Sequence, residues 1–166
     1  MTLRAALTAL LACALVACSP SMNWRVVQLG HLSTLLPCKP DTATRQVVLA
    51  GQSHAMEMSG CEVAGALFAI SRIEATDATQ ALALMADLRR SSLANVRAKA
   101  VHPVGNSGDA QTSFDVLVDG QRADGSALQA RFRWQVYESG LYQIAAYGEH
   151  LGPEQTDSLM EEARIR

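Results

Sequence analysis

The chain has 166 residues, of which 49% are hydrophobic and 18% charged, and it carries a formal net charge of −2 at pH 7. That length suits a single domain with one substantial core, and the near-balanced charge without a basic stripe argues against a nucleic-acid partner. Beyond the N-terminal leader no apolar run approaches the eighteen or so residues of a membrane-crossing helix, and there is no internal repeat or low-complexity tract.

The leader places Arg4 before an Ala- and Leu-rich run from Ala5 to Ala14, the order of a secretory signal. The run is too short to cross roughly 30 Å of hydrocarbon. It closes on Leu15-Val16-Ala17-Cys18, and Ser19-Pro20-Ser21 begins a polar linker. These residues resemble the lipobox of bacterial lipoproteins, here the small proteobacterial envelope lipoproteins of unknown function. The resemblance implies cleavage after Ala17, diacylglyceryl on the Cys18 thiol and acylation of the new amino terminus. The alternative is a secreted protein without lipid, with Cys18 near its cleavage site by chance. Each buried CH₂ contributes about 0.8 kcal/mol and one chain holds only marginally, so several acyl chains on one residue make a lasting anchor. In that family Ser rather than Asp after the modified Cys accompanies outer-membrane sorting. Ser19 therefore implies the periplasmic face of the outer membrane. The expected organisation is a signal peptide over 1–17, a lipidated cysteine and short linker over 18–23, and one periplasmic domain over 24–166.

With Cys13 removed and Cys18 acylated, Cys38 and Cys61 remain. Two thiols in an oxidising compartment are expected to pair, closing a loop worth about 3 kcal/mol in the chain-entropy model. The alternatives are two buried free thiols or a metal pair, although neither cysteine has the Cys-x-x-Cys spacing of a zinc knuckle.

In chain order, Trp24 to Leu29 reads as a first strand, and Gly30 to Thr44, with two prolines and Cys38, reads as a loop pinned by the cystine. Arg45 to Leu49 and His54 to Cys61 form a hairpin about Gly51-Gln52. Ala64 to Ile73 is apolar enough for a central strand buried on both faces. The period then changes. Asp77 to Val96 is a helix with Asp77 as N-cap and Gln80 as the reciprocal half of a capping box. Its apolar stripe is Ala81, Leu84, Met85 and Leu88, with Asp87, Arg89 and Arg90 toward water. Arg97 to Val104 is a further strand, broken by the turn residues from Gly105 to Asp109.

Phe114, Val116 and Val118 alternate with Asp115, Leu117 and Asp119, which predicts a strand with one dry and one mostly wet face. Leu128, Ala130, Phe132, Trp134 and Val136 alternate against Gln129, Arg131, Arg133 and Gln135, implying one sheet face under a helix and one open to solvent. A turn at Glu138-Ser139-Gly140 leads to a strand over Leu141 to Tyr147. Gly152-Pro153 opens a short terminal helix with Leu159, Met160 and Ala163 as its stripe. The expected class is α+β, a mostly antiparallel sheet packed by one long middle helix and a C-terminal helix. This order, with Gly140-Leu141-Tyr142-Gln143-Ile144 as penultimate strand, resembles the PsbP-like fold from about Trp24 onward. That likeness implies an accessory or binding domain more often than an enzyme, and carries over no functional residue.

Two clusters are candidates for chemistry. His54, Met56 and Met58 share one strand face at period two, and imidazole with thioethers is the soft set that selects Cu(I); the competing reading has both methionines in the core and His54 capping the strand end. Arg131 and Arg133 beside Tyr137 form a polar strand face that could receive an anionic partner, or simply be solvated. No Gly-x-Ser-x-Gly elbow or phosphate-binding glycine pattern appears. The expectation is therefore a non-enzymatic binding or accessory lipoprotein of the envelope. It would have the membrane and an envelope protein as partners and no cofactor, with a periplasmic copper-binding module as the alternative.

Overall fold

Ten strands and two helices build the structure, a computed structural model that describes residues 22–105 and 111–166. The leader, Cys18 with its linker through residue 21, and residues 106–109 of the expected turn lie outside the described residues. In chain order the elements are β1 (Arg25–Leu29), β2 (Leu32–Leu36), β3 (Asp41–Leu49), β4 (Gln52–Val63), β5 (Ala66–Glu74), α1 (Ala78–Asn95), β6 (Ala100–Pro103), β7 (Ser113–Gln121), β8 (Ala127–Tyr137), β9 (Gly140–Gly148), α2 (Pro153–Glu161) and β10 (Arg164–Ile165). The class is α+β and the sheets are antiparallel. Seven strands form one sheet in the order β3-β4-β5-β9-β8-β7-β6, and β1-β2-β10 form a second.

Turn chemistry sets the hairpins. Ala50 and Gly51 have φ of 49° and 74°, the two consecutive positive values that a two-residue primed turn needs to match strand twist. Ala64 and Gly65, at 51° and 72°, repeat the device, so β5 starts two residues later than its apolar composition suggests. The α1 start is a side-chain cap: Asp77 Oδ1 accepts from the Gln80 N–H at 2.8 Å, an interaction worth about 1 kcal/mol. The Gln80 side chain accepts instead from the Thr76 N–H at 2.7 Å, one residue further back than a standard capping box. Asp87 does not simply face water, because its carboxylate accepts the Ala50 N–H at 2.6 Å and ties the β3–β4 tip to the helix. Arg89 also departs from expectation. Its guanidinium lies 3.5 Å from the Phe114 ring centroid, and burial pushes its pKa below the ordinary arginine value.

One face of the large sheet meets α1. Ala81, Leu84, Met85 and Leu88 pack there on Phe132, Trp134, Val136, Leu141 and Val118. The other face is not open to solvent, which corrects the expectation for β7 and β8. It is covered by the β1-β2-β10 sheet and by α2, around a second core of Leu32, Leu36, Phe68, Ile70, Tyr142, Ile144, Leu159 and Met160. The segment expected to be loop over 30–44 supplies much of that cover. Leu32, Thr34 and Leu36 are buried while Ser33 and Leu35 are half-buried, the alternation of a strand. Pro37 and Pro40 confine irregular backbone to the four residues between β2 and β3. Thr34 finds its hydrogen-bond partner 125 residues away, donating to the Leu159 carbonyl at 2.6 Å. Cys38 and Cys61 form a disulfide, which joins the end of β2 to β4 and so bridges the two sheets.

Candidate functional site

The residues named from sequence fall on opposite faces of the large sheet. On the α2 side, Arg131 and Arg133 are already engaged. Arg131 grips Asp115 through Nε and Nη2 at 2.6 and 3.0 Å, and Arg133 donates to the same carboxylate at 2.8 Å. Arg133 also donates to the Met160 carbonyl near the end of α2. The side chains of Asp115, Arg131 and Arg133 are only 4%, 13% and 23% exposed. Tyr137 is half-buried beside the His31 ring, with centroids 5.4 Å apart. The expected anion-receiving face is thus an internal ion cluster under α2, its cations satisfied by Asp115.

His54, Met56 and Met58 do share a face, the one toward α1. Met56 is 7% exposed and packs in the core with half-buried Met58 beside it, while His54 Nε2 is buried without a hydrogen-bond partner. At about 6.7 Å per two residues of strand, His54 and Met58 stand about 13 Å apart along the chain. A single copper ion would have to draw them together across that span. Among the described residues, no group of three His, Cys, Asp or Glu side chains could hold a metal.

Where the two methionines lead is a cavity. About 490 Å³ lies between the C-terminal half of α1 and the strands β3, β4, β5 and β9. Register explains it. Gly60, Ala69 and Ala145 are successive partners across β4, β5 and β9, so three neighbouring strands present almost no bulk. A Cβ on Gly60 would come within 2.8 Å of the Phe68 carbonyl oxygen, which keeps that position bare. The next row is Met58, Ser71 and Gln143. The helix above adds Leu88 but otherwise the short polar side chains of Ser91, Ser92 and Asn95.

The electrostatics are uniform, since among the described residues no Asp, Glu, Lys, Arg or His lines the cavity. Its polar groups form a neutral string. Ser92 Oγ donates to Gln143 Oε1 at 3.4 Å, and the Gln143 side chain lies close enough to the Tyr147 hydroxyl to influence its ionisation. Burial pushes the Tyr147 pKa up to about 12, against a smaller lowering by the Gln143 side chain. That phenol therefore stays protonated at any physiological pH. Two of the exposed large apolar side chains, Val48 and Leu67, belong to the same lining and give the cavity an apolar lip.

Comparison with models of known protein families and with curated protein sequences finds no match to this chain. Among the described residues no helix is long and apolar enough to cross a membrane.

Of the cavity residues, the sequence marks only Met56 and Met58 as candidates for chemistry, and for a different one. It gives no such mark to Ala69, Ser71, Gln143 and Ala145. Their signal is a parity effect. In β5 and β9 the positions 69, 71, 143 and 145 are small or polar, while the opposite parity carries Phe68, Ile70, Tyr142 and Ile144.

Proposed function

We propose that this protein is a lipid-anchored, non-enzymatic binding or accessory module of the bacterial envelope. It is tethered through Cys18 at the periplasmic face of the outer membrane, and an envelope component enters the cavity under α1. The cavity carries the reading. Its 490 Å³ falls within the roughly 300–1,000 Å³ of small-molecule sites, which are apolar with a few convergent polar groups. The Leu15-Val16-Ala17-Cys18 leader supports the address. A PsbP-like arrangement of a sheet between helices is part of the same proposal and favours an accessory role over catalysis.

Mass spectrometry of the protein isolated from its own envelope tests both halves. Under denaturing conditions the mass should exceed that of the polypeptide 18–166 by its acyl groups; an unmodified Cys18 thiol would refute the anchor. Under native conditions a further non-covalent mass should appear, and it should vanish in Ala69→Leu, which fills the cavity floor. Equal native and denatured masses in the unaltered protein would refute the cavity as its binding site.

A further inference from the structure

Taking the cavity as the binding site, we infer that its ligand is an uncharged amphiphile: an aliphatic chain bearing a neutral hydrogen-bonding group such as an ester, an amide or a hydroxyl. Charge is the first argument. An ionised carboxylate or phosphate drawn inside would meet no counter-charge, because the lining holds none among the described residues. Burying an unpaired charge is among the costliest events in a protein interior. A neutral group meets the opposite situation. Ser92, Gln143 and Tyr147 together present hydroxyl and amide donors and acceptors, Ser92 and Gln143 each being 8% exposed. A ligand carbonyl or hydroxyl can exchange into that string without leaving an ion stranded.

Shape is the second argument. The lining runs over β3, β4, β5 and β9, four adjacent strands of the sheet, which at the usual spacing makes a slot about 14 Å long. Its floor carries the small side chains of Ala69 and Ala145, and its lining includes Met56 and Met58, whose unbranched thioethers adapt to a flexible occupant. A long slot with adaptable walls suits a chain better than a compact ring system. Leu67, 43% exposed at the lip, offers an apolar first contact.

The test is calorimetric titration of the full chain carrying Cys18→Ser, so that no acyl group of its own competes. Three probes are used: 1-monolauroylglycerol, dodecanoate and the compact aromatic N-phenyl-1-naphthylamine. The neutral glyceride should bind at least tenfold tighter than dodecanoate and tighter than the naphthylamine. Gln143→Leu should erase the preference over dodecanoate, and Tyr147→Phe, which removes only a hydroxyl, should reduce it several-fold. Equal binding of glyceride and dodecanoate, or a preference that survives both substitutions, would overturn the uncharged-ligand inference. Tighter binding of the naphthylamine would overturn the aliphatic one. In each of those cases the cavity itself stands as a binding site. Failure of all three probes to bind would instead bring down the underlying binding-site reading.

Discussion

Replacing Asp115 by Asn will destabilise the domain by about 3–5 kcal/mol, the range for breaking a buried ion pair from one side. Among the described residues Asp115 is the one carboxylate gripped by Arg131 and Arg133, so its removal strands two guanidinium groups beneath α2. The effect should fall toward the lower end of the range, because Arg133 keeps some contact with water at 23% side-chain exposure. Urea unfolding of the single variant measures it. A companion variant with Asp115→Leu, Arg131→Met and Arg133→Met should recover most of the loss, since an apolar replacement of a whole buried cluster is often neutral or better. It will not recover all of it, because Arg133 also binds the Met160 carbonyl. A loss under about 1 kcal/mol for Asp115→Asn, the scale of exposed pairs, would mean that this face is solvated after all.

Removing the cystine should cost about 3 kcal/mol, as the chain-entropy model gives for a loop of this length. Cys38 and Cys61 are 23 residues apart, and the bond joins the two sheets. The figure is a large share of the roughly 5–15 kcal/mol that holds a typical domain. Cys38→Ala with Cys61→Ala, unfolded in urea beside the oxidised parent, measures the difference. Adding reductant to the parent should reproduce it, and leave the double variant unchanged. Coincident unfolding curves for parent and variant would show that β1-β2-β10 docks without the bridge.

What could be read from the amino acids was local. Asp77 and Gln80 marked the α1 start, Gly152 and Pro153 marked that of α2, and the strict alternation over Leu128 to Val136 located β8 and its α1-facing side. Each signal is complete within a few residues. The failures share a different cause. Asp115 looked wet because nothing near it in sequence says that Arg131 and Arg133 stand across from it on the next strand. The strand β2 passed for loop because the buried Thr34 hydroxyl is satisfied by the distant Leu159 carbonyl. The cavity was the least legible feature. It exists because Ala69 pairs with Ala145 and Ser71 with Gln143, a register between strands more than seventy residues apart. Periodicity shows that these positions share a face, but not which strand lies next to them.

Whether the slot under α1 takes a ligand is decided by amide chemical-shift mapping of the full Cys18→Ser chain titrated with 1-monolauroylglycerol. Saturable shifts are expected at Met56, Met58, Ala69, Ser92, Gln143 and Tyr147, and they should disappear in Ala69→Leu while its unfolding midpoint holds. Shifts centred on Asp115, Arg131 and the α2 side, or none at saturating concentrations of the glyceride, dodecanoate and the naphthylamine alike, would show that this cavity is not where the protein binds.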